Sequence, residues 1–135
     1  MHIPLFTQDG YGSTNSLCPP SEKTYTGKAL TTGWGRYLPN VTDISDKLKI
    51  AEMLLMPIED CIAAYGELDR NKQLCLKGKL GAKVCSGDSG GPLFQYVDGY
   101  AEAIGISSFG APNCPDSLSV FTSVAAYHDW IDQYS

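Results

Sequence analysis

The residues of this chain best suited to chemistry lie in the run Cys85-Ser-Gly-Asp-Ser-Gly-Gly-Pro-Leu93. Ser89 is flanked by glycines at 87, 90 and 91, so the backbone there can adopt dihedrals closed to other residues and approach a substrate closely. Successive amide N–H groups in such a turn can converge on one point and stabilise an oxyanion. A serine in that setting is a candidate nucleophile. Asp88 beside it is a carboxylate that needs a cation or N–H donors wherever it is buried. The alternative is a glycine-rich hairpin carrying a solvated serine. At average residue usage, however, Gly-Asp-Ser-Gly-Gly-Pro arises by chance in only about one chain in 100,000 of this length. The looser pattern G-x-S-x-G is also met at Gly87, Ser89 and Gly91. In an α/β-hydrolase that elbow passes from a strand straight into a helix. Here Pro92 and the strand-like Leu93–Val97 follow, so that reading fails on context.

Short strands and turns must position this segment. Lys28–Trp34 reads as a strand closed by Gly33-Trp34-Gly35, and Leu48–Met56 as another, with alternating apolar residues at 48, 50, 54 and 56 interrupted by Glu52. Pro57 opens a short helix, with Glu59 and Asp60 in its first turn and Gly66 as its stop. Pro92–Val97, Tyr100–Phe109 and Leu118–Thr122 are further strands, the first two joined by the hairpin signal Asp98-Gly99. From Ser123 onward, Val124, Tyr127, Trp130 and Ile131 recur at helical spacing and predict a terminal helix docking an aromatic face onto the strands. The first 27 residues read as loop. There is no internal repeat and no linker, and fourteen glycines and eight prolines favour turns over long helices, so the fold class is all-β.

Composition narrows the function. The chain has 135 residues, 43% hydrophobic and 19% charged, which fits one ordinary globular domain. No apolar stretch approaches the roughly 20 residues a membrane-spanning helix needs. Ten basic against fifteen acidic residues give a net charge of -5, and phosphate binding needs clustered positive charge, so no nucleic-acid partner is expected. Cys18, Cys61, Cys75, Cys85 and Cys114 contain no C-x-x-C and have no nearby histidine pair. Disulfides, not a metal, are the reading, and the odd count leaves one thiol without a partner inside the chain. No cofactor is expected. The start, Met1-His-Ile-Pro-Leu-Phe-Thr-Gln-Asp-Gly, has neither a basic n-region nor an apolar core, so Met1 is not read as the protein's true beginning.

From Cys18 to the C-terminus the chain resembles the chymotrypsin-like (trypsin-like) serine endopeptidases. Thr32-Gly-Trp-Gly-Arg36, Cys61, Cys75, Cys85–Leu93, Gly105-Ile-Ser-Ser-Phe-Gly110, Cys114, Val120-Phe-Thr-Ser-Val124 and Trp130-Ile131 agree in order. The resemblance implies the C-terminal six-stranded Greek-key barrel of the family's double barrel, closed by a C-terminal α-helix. Residues 1–17 then form a loop remnant of the other barrel, and 18–135 the C-terminal part of the protease domain. It also implies that Ser89 is the nucleophile, that the N–H groups of Gly87 and Ser89 form the oxyanion hole, and that Asp88 pairs with the terminal amine released on zymogen cleavage. Ser108, Phe109 and Gly110 correspond to the strand that pairs with substrate, Phe109 replacing the more usual tryptophan. Lys83, six residues before the serine, corresponds to the pocket floor, and Ser119 to the pocket wall where glycine is common. The implied disulfides are Cys61–Cys75 and Cys85–Cys114, with Cys18 tethering a light chain or pro-region. The implied location is extracellular.

The base and acid of the family are not found. An Ala-Ala-His-Cys-like motif and an Asp-Ile-Ala-like motif are absent. His2 and Asp9 lie too close to Cys18, and His128 sits in the terminal helix. The expectation is therefore a serine endopeptidase seen as a fragment that is incompetent alone and needs its N-terminal barrel. The competing readings are a non-catalytic homologue acting as a binding or regulatory module, and a truncated product that does not fold. No acid occurs between Leu76 and Val84, which disfavours cleavage after Lys or Arg. Lys83 either selects an acidic side chain or snorkels out of the pocket. Asn40-Val-Thr42 is an N-glycosylation sequon.

Overall fold

The computed structural model describes residues 16–36, 42–112 and 118–135. The strands are β1 (Lys28–Gly33), β2 (Lys49–Met56), β3 (Gln73–Gly78), β4 (Pro92–Val97), β5 (Tyr100–Gly110) and β6 (Leu118–Ser123). Helix α1 (Ile58–Tyr65) lies between β2 and β3, and a 3₁₀ turn, Ala125–Tyr127, leads into α2 (His128–Gln133). The strands close into an antiparallel barrel in the order β1-β2-β3-β6-β5-β4, so the expected six-stranded Greek-key barrel with a short C-terminal helix is found. The β4–β5 turn has positive φ at both Asp98 (50°) and Gly99 (82°), the backbone that the Asp-Gly pair favours in a two-residue hairpin.

Each strand supplies one fully buried residue to the barrel interior: Ala29, Met53, Leu76, Leu93, Ile104 and Phe121, all at most 2% exposed. A six-stranded barrel is narrow enough for side chains to fill it, and burial of five large apolar residues is the main force closing it. On β2 the inward set is Ala51, Met53 and Leu55, not the even-numbered residues whose alternation marked the strand. Ile50 is 65% exposed, and Glu52 on the outer face pairs with Lys79 at 2.8 Å and Lys28 at 3.6 Å. Strand β3, which carries no alternation, was not expected from the sequence; its Cys75 and Leu76 are both buried but belong to different clusters.

Outside the barrel, α1 packs on β3 and β6 through Cys61, Cys75 and Val120, and the Cys61–Cys75 disulfide expected from the sequence is present. The Tyr65 hydroxyl donates to the Leu118 carbonyl, and its ring meets that of Phe109 edge-on at 5.6 Å. The terminal helix corrects the expectation of a docked aromatic face. Val124 is buried, but Tyr127 and Trp130 are 36% and 61% exposed, and Trp130 packs on Tyr134 instead. The intervening 3₁₀ turn has three residues per turn, so positions 124 to 131 do not share one helical face.

The segment from Leu17 to Tyr25 is strapped to β5. Strand β6 pairs with β5 only from Gly105 onward, and Cys18 covers the edge before it, donating to Ala101 O (2.7 Å) and accepting from Ala103 N–H (2.8 Å). Glu102, 6% exposed, accepts hydrogen bonds from Tyr25 Oη (2.6 Å) and the Ser21 N–H (3.1 Å). Burial alone would raise its pKa, but the hydrogen bonds from Tyr25 and Ser21 outweigh that and hold the carboxyl below its ordinary range. A depressed folded pKa adds stability that is present above the unfolded value near 4.5 and is lost as pH falls through the folded one. Glu102→Gln is therefore expected to cost on the order of 1 kcal/mol at pH 7 and to flatten the loss of stability below pH ~5. Urea titrations at pH 7 and 4 check this; parallel curves for the two proteins would contradict it.

Candidate active site

The segment carrying Ser89 is two successive turns. The Asp88 N–H donates to Cys85 O (3.0 Å) and the Gly91 N–H to Asp88 O (2.9 Å). The segment is anchored to β5 by Gly90 N–H on Ser107 O (2.8 Å) and Ser107 N–H on Gly91 O (2.9 Å), and to the β1 side by Arg36 N–H on Ser86 O (3.0 Å). Gly87 and Gly90 have φ of 99° and 83°, values that any side chain would strain. The turns thus hold Ser89 at an exposed apex. Neither the Gly87 nor the Ser89 N–H has a hydrogen-bond partner among the described residues.

Asp88 turns the other way. Its Oδ1 accepts the Gly35 N–H (2.8 Å) and its Oδ2 the Cys85 N–H (3.0 Å). The carboxylate lies against the end of β1. A Cβ on Gly33 would stand 2.0 Å from Oδ1, and one on Gly35 only 2.4 Å from the carboxylate. Both glycines of Thr32-Gly-Trp-Gly-Arg36 are therefore required by a residue more than fifty positions away, a role that sequence reading missed. Gly35→Ala is expected to push Asp88 off its two donors and to destabilise the fold by about 1–3 kcal/mol, read as a lower urea midpoint at unchanged slope. An unshifted midpoint would contradict this packing.

Two cavities of about 250 Å³ each flank the segment. Ser89 lines one together with Val84, Ser86, Ser108, Phe109 and Gly110, so most of the expected substrate-binding residues come together around the serine. Asp88 lines the other with Arg36, Lys49 and Lys83. Lys83 does not line the Ser89 cavity, although the family resemblance implies the pocket floor for it. Val84 lines both, so residues 82–84 run between the two spaces and the backbone rotation there decides which side each takes. Ser119 is buried behind the cavity, paired across the strands with Gly110, whose Cβ would lie 3.3 Å from Ser119 Oγ.

No histidine or carboxylate lines the Ser89 cavity among the described residues. His128 borders a different cavity with Ser21, Glu22 and Asp129, and its Nε2 lies 3.2 Å from Asp132 on the same helix. Cys85 is disulfide-bonded; its expected partner Cys114 lies outside the described residues, as do Asn40, His2 and Asp9. Cys18 is a free, half-buried thiol.

The trypsin family model matches residues 11–131. Similar proteins include CLIP domain-containing serine protease B4 of Anopheles gambiae, 35% identical over 134 residues covering 90% of this chain and 36% of that protein. Kallikrein-1 of Mus musculus is 35% identical over 84% of this chain and 43% of its own length. Kallikrein-8 of Homo sapiens is 35% identical over 77% of this chain and 39% of its own. The chain belongs to the trypsin family. It spans about two fifths of the length of the curated relatives it matches.

Proposed function

We propose that this chain is the serine-bearing barrel of an extracellular serine endopeptidase, and that it is incompetent by itself. The observation that carries the reading is Ser89, exposed between the unengaged N–H groups of Gly87 and itself and a cavity sized for a side chain. Ser89 Oγ attacks the carbonyl of a protein or peptide substrate and its proton passes to a base. The carbonyl oxygen takes the negative charge toward the Gly87 and Ser89 N–H groups. The base then protonates the leaving amine, and water releases the acyl group from Ser89. That base and its orienting acid belong to the N-terminal barrel, outside the described residues. Trp34, Ile44 and Ile50, 49–66% exposed, fit a face that this barrel covers. Asp88 is the carboxylate that meets the activating terminal amine, and Cys18 is the thiol that tethers a light chain or pro-region. The Cys85–Cys114 bridge stiffens the cavity, Asn40 carries a glycan, and no cofactor takes part. Disulfide bonding supports the extracellular location.

The purified chain is expected to give no hydrolysis of an activated peptide ester above the Ser89→Ala background, whereas the complete polypeptide hydrolyses it. Turnover by the isolated chain that Ser89→Ala abolishes would overturn the incompetence. A second reading, a non-catalytic homologue that binds its partner without cleaving, is favoured by the lack of a described base beside Ser89. An inert complete polypeptide would select it.

A further inference from the structure

We propose that the Ser89 cavity selects a neutral, apolar side chain, a substrate class that rests on the reading of Ser89 as nucleophile. Among the described residues its lining carries no charge: Val84, Phe109, Ala111 and Pro112 are apolar, and Ser86, Ser89, Ser107 and Ser108 offer only hydroxyls. A cation or a carboxylate that gives up water is best held by an opposite charge, and this wall supplies neither kind of counter-charge. Lys83, the charge nearest in sequence on the upstream side, lines the cavity of Asp88, Arg36 and Lys49, and so does not serve an acidic side chain in the Ser89 cavity. The Phe109 ring is held edge-on by Tyr65, itself fixed by its hydroxyl on the Leu118 carbonyl. The cavity therefore has a braced apolar wall against which a Leu-, Met- or Phe-sized side chain can pack.

The test separates selectivity from catalysis. Peptides ending in Leu, Phe, Arg or Glu, otherwise identical, are titrated against the Ser89→Ala form of the complete polypeptide, which binds without turning over. The same four residues are placed before the scissile bond in substrates of the unaltered protein. The expected result is that Leu and Phe exceed Arg and Glu by at least 100-fold in both affinity and kcat/KM. The Val84→Asp form, which adds a carboxylate to the lining, should gain at least 10-fold for Arg relative to Leu. Lys83→Ala should leave the Leu-to-Glu ratio unchanged. Preference for Arg or Glu, or binding of none of the four, overturns this proposal while leaving Ser89's role to the hydrolysis assay. Neutral preference in binding without any hydrolysis upholds it and instead sinks the catalytic reading.

Discussion

With Ser89 as the proposed nucleophile, Ser89→Ala is expected to lower kcat/KM of the complete polypeptide by about 10⁴–10⁶, with the folded barrel unchanged. The size follows from the proposed role of the side chain: without its Oγ no acyl-enzyme forms, and what survives is the contribution of oxyanion donors and binding. Stability should move by less than about 0.5 kcal/mol, because Ser89 is exposed and its hydroxyl has no partner among the described residues. Steady-state kinetics alongside a urea titration tests both halves. An alanine form that keeps more than a hundredth of the activity would remove Ser89 from the chemistry.

Asp88→Ala should combine a loss of activity with a loss of stability. Removing the carboxylate strands the N–H groups of Gly35 and Cys85, both at buried residues. An unsatisfied buried donor costs about 1–3 kcal/mol, so a total of roughly 2–4 kcal/mol is expected, a large share of a small domain's stability. Activity should fall by about 10²–10³, the loss that follows when oxyanion donors are no longer held in place, because the Asp88 carboxylate ties the Cys85 N–H at the start of the first turn to the Gly35 N–H beyond β1. Asp88→Asn separates the two effects. Its carboxamide oxygen can still accept from one N–H and so recovers part of the stability, but it carries no charge for a terminal amine. Full activity in the Asn form would show that the charge has no part in organising the site.

The serine motif was legible because its glycines and proline are local requirements: each is set by dihedrals or by the turn it occupies. The Asp98-Gly99 hairpin was legible for the same reason. Strand β3 was not, because Cys75 faces α1 while Leu76 faces the barrel, and a strand covered on both sides shows no alternation. On β2 the apolar residues lie on both faces, so the pattern revealed a strand but not its inward side. The exposure of Trp130 was hidden by a 3₁₀ turn that breaks the helical spacing. In the site, the service of Gly33 and Gly35 to Asp88 is a contact between distant segments that spacing cannot carry. The side taken by Lys83 is set by the backbone of residues 82–84, which spacing from the serine does not carry.

The most direct test is covalent. The complete polypeptide and the isolated chain are each treated with a fluorophosphonate, which phosphonylates an activated serine and releases fluoride, and the modified residue is located by mass spectrometry. One stoichiometric adduct on Ser89 is expected in the complete polypeptide and none in the isolated chain. An unmodified Ser89 in the complete polypeptide would contradict its role as nucleophile.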